Sequence, residues 1–150
     1  MFDPPEMVKY ARITASHTRA DLIRSLIEGV SFSQRDCLKI IEQMGVPVES
    51  VRLSGGGAVS PFWRQMLADV FGKPAVILET QEGSAYGAAL LAMVGTGARS
   101  IRDVCREAIR EVESIEPQPL EARIYAECHR RYQSLYPALW AFYHSLEPRP

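Results

Sequence analysis

A run of three glycines about a third of the way along the chain is the feature best suited to bind a ligand. Residues 51–54, with the apolar Val51 and Leu53, predict a short buried strand, and the glycines at 55–57 form a turn directly after it. Ser60 and Pro61 then begin a helix, because serine caps a helix N-terminus and proline suits its first turn. A strand, a glycine turn and a helix N-terminus in that order present backbone N–H groups to a phosphate. The sequence therefore predicts a phosphate-binding turn.

Other interpretations of the turn remain open on the residues alone. A P-loop requires a Gly-Lys pair followed by Ser or Thr, and Gly72-Lys73 is followed by Pro74. The dinucleotide fingerprint is partial, because Ser60 replaces its third glycine, although Glu79 lies near the position of a ribose-binding acid. A tight turn that needs a positive φ angle and binds nothing is the remaining alternative.

The acidic side chains and the histidines are not spaced in a way that would tune a catalytic pKa. Asp36 lies in the middle of a predicted helix, Asp69 in a final helical turn, and Glu79 and Glu82 flank a loop. We expect solvated or structural roles for all four. The sequence predicts neither a catalytic residue nor a metal site. The three histidines are expected at the surface or at helix caps: His17, His129 and His144.

The amino-acid composition restricts the kind of molecule that the chain is expected to bind. The 150 residues include 17 basic and 18 acidic side chains and are 47% hydrophobic. This allows one core of ordinary size and argues against a nucleic-acid or membrane-binding surface. No apolar run reaches the ~18 to 20 residues that cross a bilayer, and three widely spaced cysteines fit structural thiols. We therefore expect a cytoplasmic protein that binds a small molecule or another protein.

Hydrophobic periodicity predicts a long helix before the turn. It begins at a capping box over residues 18–21 and ends at Gly45, and Gly29 inside it predicts a bend or the close approach of another element. One stripe of this helix is expected to be buried: Leu22, Leu26, Val30, Cys37, Ile41 and Met44.

The elements after the turn alternate between helix and strand. The helix that begins at Pro61 is expected to bury Trp63, to expose Arg64 to solvent and to end at Gly72. Residues 75–78 predict a second buried strand. Three further helices are predicted at residues 83–94, at about 101–112 after a Ser100 cap, and from Leu120 onwards, where Pro137 should kink or interrupt the last one.

This order of elements predicts an α/β fold with parallel strands. Two parallel strands make a poor sheet, so residues 1–150 are expected to form a single unit of a larger domain whose other strands precede it. Residues 1–16 lead into the first helix, and residues 117–150 form a helical tail. The exposed sheet edge predicts pairing with another chain, including a homo-oligomer.

The motifs around the turn resemble those of the FGGY carbohydrate kinases, which belong to the actin-like ATPase superfamily with its ribonuclease H-like fold. Residues 54–72 (S-G-G-G-A-x-S-x-x-W-R-Q-x-x-A-D-x-x-G) are similar to the adenosine motif of that family. Residues 17–30 resemble the helix before this motif, especially in xylulokinases. Residues 82–89 resemble the helix after it, and residues 132–137 resemble the C-terminal helix. The resemblance runs in the right order from residue 14 to about residue 146.

The resemblance implies the C-terminal, nucleotide-binding part of an ATP-dependent sugar kinase. In such enzymes the γ-phosphoryl group of ATP passes to a sugar hydroxyl, and Mg²⁺ neutralises phosphate charge. Ser60 would both cap its helix and approach the adenine, whereas Pro61 replaces an amide side chain that some relatives carry. The residues implied to bind ATP or ADP are Gly55, Gly56, Gly57, Ala58 and Ser60.

The catalytic aspartate and the sugar-binding residues of the family belong to an N-terminal lobe that has no counterpart in this sequence. The sugar would therefore bind through the missing lobe, and we expect the chain alone to be inactive. Residues 12–14 (Arg-Ile-Thr) depart from the Gly-Leu-Thr usual in xylulokinase-like chains. The first alternative is a non-catalytic module that binds a nucleotide or serves in assembly. The second, ranked below it, is a Rossmann-type dinucleotide-binding unit.

Overall fold

Five helices and a three-stranded sheet form the described part of the computed structural model, which comprises residues 13–80, 83–97 and 100–145. The helices are α1 (Arg19–Gln43), α2 (Pro61–Phe71), α3 (Gly83–Gly95), α4 (Ile101–Ala108) and α5 (Pro119–Ser145). The strands are β1 (Val51–Leu53), β2 (Ala75–Leu78) and β3 (Glu111–Ile115), and a single 3-10 turn, Gly56–Ala58, follows β1.

The sheet is mixed and has the strand order β1-β2-β3. β1 and β2 are parallel, with Val51 opposite Ala75, which confirms their predicted arrangement. β3 is antiparallel to β2, with Ile115 also opposite Ala75. β3 is a strand that the sequence does not predict, and it makes the sheet mixed. The end of the predicted helix over residues 101–112 is wrong, because α4 ends at Ala108.

β3 lacks the sequence pattern of a strand because it lies at the sheet edge and is largely exposed. Four of its five residues are exposed, and only Ile115 is partly buried. Its sequence, Glu-Val-Glu-Ser-Ile, consequently has neither the apolar run of a buried strand nor a clear apolar face. The opposite edge of the sheet, along β1, pairs with no strand among the described residues.

α1 begins as predicted but packs through a different face. Its capping box is present, with the Thr18 amide donating to Asp21 Oδ2 at 2.7 Å and the Asp21 amide donating to Thr18 Oγ1 at 3.4 Å. The predicted buried stripe is wrong, because all six of its residues are exposed. No heavy atom lies within 4 Å of a Cβ built on Gly29, so no described element approaches it closely. The residues of α1 that are buried are Ser31, Phe32 and Leu38.

The core lies where α2 meets the sheet, α1 and α5. The apolar spacing of α2 predicts one buried face, and its members Met66, Leu67, Val70 and Phe71 are buried. Trp63 on the same face is partly buried, whereas Phe62 is 51% exposed, so the prediction is wrong for Phe62. Ser60 caps this helix, and Gly72 ends it in the left-handed region with a φ of 63°. Both helix-end predictions are confirmed.

Two helices leave much of their surface uncovered. α3 is rich in alanine, leucine and glycine, yet Leu90 is its only buried residue and Leu91 is 61% exposed. α5 contains Pro137 and continues to Ser145, so the proline does not interrupt it. No helix in the part of the chain that the structure describes combines the length and the apolar character needed to span a bilayer.

His129 joins α5 to α1 and is not a surface residue, contrary to the prediction. It is 3% exposed, and its Nε2 lies 2.9 Å from Asp36 Oδ1. Gln133 Nε2 donates to the same oxygen at 2.6 Å. The imidazole also lies beside the Phe32 ring, at 5.7 Å between centroids. Burial lowers the pKa of His129, an effect that Asp36 opposes.

This buried histidine should make the stability of the fold depend on pH. An unfolded-state pKa near 6.5 lies above the lowered folded-state pKa, so the unfolded chain binds the proton more tightly. The free energy of unfolding should therefore fall as the pH drops below about 6.5, by up to about 1.4 kcal/mol per pH unit. The charged groups facing the imidazole are Asp36, Lys39 and Arg35, all from α1. Urea unfolding between pH 5 and 7.5 measures the slope.

The variant His129→Gln should lose this part of the pH slope. His144→Gln is the matched control, because His144 is exposed near the end of α5 and should leave the slope in place. The same slope in His129→Gln as in the unmodified chain would show that another group titrates.

Candidate functional site

The glycine turn lies at the carboxyl end of β1, where ligands bind in open α/β sheets. Gly55 has φ 79° and ψ −164°, a combination essentially restricted to glycine. The amide of Ala58 then donates to Gly55 O at 3.0 Å, and the amide of Val59 donates to Gly56 O at 3.2 Å. Backbone conformation thus explains Gly55 without reference to a ligand.

Gly56 has no comparable structural reason to be glycine. It is exposed, its φ angle is not positive, and no heavy atom lies within 4 Å of a Cβ built on it. In the described part of the chain, the amides of Gly56 and Gly57 have no backbone acceptor. Open space at Gly56, together with two amides that have no backbone acceptor, is an arrangement in which a turn can bind an anionic group.

Trp63 holds the inner side of the turn against α1. A Cβ built on Gly57 would lie 3.4 Å from Trp63 Cε3, so the indole ring packs directly on this glycine. The Trp63 Nε1–H donates to Ser31 Oγ at 3.1 Å, and the Ser31 hydroxyl donates to Ile27 O at 2.8 Å. Trp63 is partly buried against the core, which confirms its predicted packing role.

Arg64 holds the other end of the turn, and the prediction that it is solvated is wrong. Its side chain is only 18% exposed. The Nε–H donates to Ala58 O, and Nη1 lies 2.9 Å from Glu113 Oε2 on β3. The sequence contained no signal for this contact, because β3 itself lacks a strand pattern.

Ala58 and Ser60 differ in their exposure to solvent. Ala58 is 1% exposed, so both its methyl group and its backbone are buried, and contact between Ala58 and a nucleotide stays a prediction. Ser60 is partly buried, and its Oγ accepts the Trp63 amide at 3.4 Å. Pro61, the first residue of α2, has no amide hydrogen to offer. The cap is confirmed, while contact between Ser60 and a nucleotide stays a prediction.

Two cavities border the turn. The larger, about 360 Å³, lies along the free edge of β1 and is lined by Gly57, Trp63 and Cys37 among others. The smaller, about 170 Å³, lies between Ser54 at the end of β1 and Gly83 at the start of α3. A Cβ built on Gly83 would lie 3.7 Å from Ser54 Oγ. The turn is therefore flanked by an apolar groove and by a narrow gap at the carboxyl ends of both parallel strands.

Three of the acidic residues considered from the sequence lie in the described ranges, and each is paired elsewhere than at the turn. Asp36 is paired with His129. Asp69 is 4% exposed, and its Oδ1 accepts the Gln118 amide at 2.7 Å. Glu79 is exposed and lies 4.0 Å from Arg110. These contacts agree with the structural or solvated roles expected for the three residues, and Glu82 lies outside the described residues.

A family comparison identifies the class of protein to which this site belongs. Residues 4–96 match the C-terminal domain model of the FGGY family of carbohydrate kinases. The chain belongs to this family. Membership removes the Rossmann-type alternative, in which Glu79 would have bound a ribose.

Individual FGGY relatives agree with this assignment. The chain is 36% identical over 125 residues to a xylulose kinase of Staphylococcus epidermidis, covering 83% of this chain and 25% of that protein. It is 36% identical over 130 residues to an L-xylulose/3-keto-L-gulonate kinase of Escherichia coli, covering 86% and 26%. The chain thus spans about a quarter of the length of these curated relatives.

A solved structure supports the fold class. The crystal structure of a xylulose kinase from Rhodospirillum rubrum superposes with a TM-score of 0.76 at 33% identity, covering 89% of this chain and 28% of that one. The actin-like α/β class implied by the sequence motifs is confirmed, with the correction that the sheet of this chain is mixed.

Proposed function

We propose that this chain is the nucleotide-binding, C-terminal part of an ATP-dependent sugar kinase and that the glycine turn binds the nucleotide. The observation that carries the proposal is Gly56, which neither its φ angle nor its packing requires to be glycine. A side chain at this position would occupy the space that a ligand needs. Kinases of xylulose and related sugars among the relatives indicate that the ligand is ATP.

The residues of this chain would hold the nucleotide rather than transfer its phosphoryl group. The amides of Gly56 and Gly57 are donors for it, Gly55 contributes exposed backbone, the buried Ala58 closes the turn behind them, and Ser60 lies on the adenine side. These groups fit a nucleotide because the two amides are unpaired and the turn is exposed. When bound, ATP supplies the phosphoryl group for transfer.

Magnesium is part of the proposal through the nucleotide. In phosphoryl transfer it neutralises charge on the phosphate oxygens. Within the described ranges no group of three or more His, Cys, Asp or Glu side chains is arranged to hold a metal ion. We propose that Mg²⁺ is held by the phosphates of ATP, as in other phosphoryl-transfer enzymes.

The exposed apolar surfaces of the chain support the proposal that it is part of a larger protein. Among the described residues β1 has one edge without a partner strand, and the apolar stripe of α1 is exposed, with Leu26 71% and Met44 76% accessible. We propose that residues 1–150 form one unit, with residues 1–16 leading in and residues 117–150 as its tail. A preceding lobe with the sugar site and the catalytic base would cover the open face. A cytoplasmic location and a homo-oligomer through the β1 edge stay predictions.

Calorimetry with MgADP and MgATP tests the proposed function. We expect the 150-residue chain to bind nucleotide, and Gly56→Val to weaken binding at least about tenfold by filling the open space. Gly95→Val is the matched control, because Gly95 ends α3 and also has no heavy atom within 4 Å of a built Cβ. In an ADP-release assay with xylulose, the chain alone should show no sugar-dependent turnover.

Three results would contradict this proposal in different ways. Equal nucleotide affinity in Gly56→Val and the unmodified chain would place the nucleotide elsewhere. No binding by the unmodified chain would favour the alternative of an assembly module. Turnover above the sugar-free background would show that the catalytic base lies within these 150 residues.

A further inference from the structure

Arg64 connects the glycine turn to the far strand of the sheet. Its Nε–H donates to the carbonyl of Ala58, the last residue of the 3-10 turn, and its Nη1 lies 2.9 Å from Glu113 Oε2. Ala58 is 1% exposed, and no backbone amide outside the regular elements donates to its carbonyl in the described ranges. The guanidinium therefore satisfies a carbonyl that has little access to water.

The turn has few other restraints. Two backbone hydrogen bonds close it, and 3-10 hydrogen bonds have poorer geometry than those of an α-helix. Three consecutive glycines add backbone freedom that other residues would not have. Trp63 packs on Gly57 from the inner side, so the outer end depends on the contact between Arg64 and Ala58.

The simultaneous contacts of residue 64 with Ala58 O and Glu113 Oε2 require an arginine. A guanidinium presents N–H groups in a rigid fork and can donate to two acceptors that lie in different directions. Here the two acceptors are a carbonyl at one end of the turn and a carboxylate on β3. A lysine ammonium would be a single point charge, able to satisfy one acceptor more readily than both.

We propose that Arg64, oriented by Glu113, is a positioning residue that holds the amides of Gly56 and Gly57 in their nucleotide-binding arrangement. Neither side chain needs to touch the nucleotide for this role. The identity of the ligand rests on the proposed function, whereas the coupling between β3 and the turn rests only on the contacts of Arg64.

A second ion pair to β3 provides a matched control. Arg52 on β1 lies 2.7 Å from Glu111 through Nη2 and Oε1, and Glu111 is two residues before Glu113. The Arg52 side chain is 58% exposed and makes no hydrogen bond to the turn. Glu111→Gln therefore removes the same charge from the same strand without releasing Arg64.

Amide hydrogen exchange, followed by NMR on the 150-residue chain, measures the restraint. In Arg64→Gln we expect the amides of Ala58 and Val59 to exchange at least about tenfold faster, while Ile77 on β2 changes much less. Glu113→Gln should give a smaller acceleration and Glu111→Gln none. Arg64→Lys should lie between Arg64→Gln and the unmodified chain, because it keeps one of the two contacts.

The double variant Arg64→Gln/Glu113→Gln tests whether Glu113 acts through Arg64. If it does, the double variant exchanges no faster at the turn than Arg64→Gln alone. Exchange that rises equally at Ile77 and at the turn would mean that Arg64 supports the whole fold, and would overturn the proposal. Unchanged exchange at Ala58 and Val59 in Arg64→Gln would overturn it as well.

Titration of the same variants with MgADP links the restraint to binding. The variants whose amides at Ala58 and Val59 exchange faster should bind MgADP more weakly, in the same order. The affinity of Glu111→Gln for MgADP should be unchanged. Faster exchange with unchanged affinity would refute a positioning role for binding. If the unmodified chain binds no MgADP, the proposed function fails, and the exchange rates still decide whether Arg64 holds the turn.

Discussion

Replacing Gly55 with alanine is expected to lower the free energy of unfolding by about 1 to 3 kcal/mol, although the residue is exposed and packs against nothing. Its φ of 79° and ψ of −164° lie in a region that L-residues with a Cβ rarely adopt. The alanine must either strain the backbone or shift the whole turn. Urea unfolding followed by circular dichroism and by tryptophan fluorescence measures the loss; one of the two tryptophans, Trp63, packs beside the turn.

Neighbouring glycines provide the controls for this prediction. Gly56→Ala should change stability by no more than about 0.5 kcal/mol, because the position has a negative φ and open space. Substitution by asparagine distinguishes the two glycines that have a positive φ. Gly72, at φ 63° and ψ 31°, lies in the left-handed region, which asparagine tolerates. Gly55 lies outside that region. We expect Gly72→Asn to be mild and Gly55→Asn to remain costly. Equal losses in Gly55→Ala and Gly56→Ala would refute the argument.

The sequence predicts those elements whose residues face the core. β2 is a run of four apolar residues, three of them buried, and its pattern is recognisable without any partner. β3 is held in the sheet by backbone pairing with β2 while most of its side chains face water. Backbone pairing leaves no trace in residue type, so an exposed edge strand is indistinguishable from the end of a helix.

The error in α1 has a different cause, because this helix is apolar on two faces. One face, around Phe32 and Leu38, packs in the chain, and the other, around Leu26 and Met44, is exposed. Periodicity identifies both faces as helical but does not say which neighbour covers each. The chain spans about a quarter of its relatives' length, and the face of α1 that the periodicity predicts to be buried is uncovered in it.

The turn itself was predictable, but the side chains that hold it were not. Gly55, Ser60 and Gly72 act through local backbone geometry, which depends on residues close in sequence. The contact between Trp63 and Ser31 spans 32 positions, and that between Arg64 and Glu113 spans 49. Such pairs depend on how helices and strands pack, which one sequence does not specify.

Phe32→Ala is expected to have the largest effect on stability, a loss of about 3 to 5 kcal/mol. Phe32 is 6% exposed, and its ring lies 6.2 Å from that of Tyr125 and 5.5 Å from that of Tyr132. These contacts join α1 to α5, so truncation leaves a cavity where the helical tail meets the rest of the fold. Thermal unfolding followed by circular dichroism should show a large decrease in Tm.

The matched control on the same helix is Leu26→Ala, which removes an apolar side chain that is 71% exposed. We expect it to change stability by no more than about 0.5 kcal/mol. Because Phe32→Ala is at risk of unfolding the chain completely, Phe32→Leu gives a second measurement, with an expected loss of less than about 1.5 kcal/mol. α5 contacts α1 through the rings of Phe32, Tyr125 and Tyr132. In Phe32→Leu, amides of α5 should therefore lose protection from hydrogen exchange before those of β2 do. A loss in Leu26→Ala as large as in Phe32→Ala would mean that the exposed stripe of α1 is the one that packs in solution.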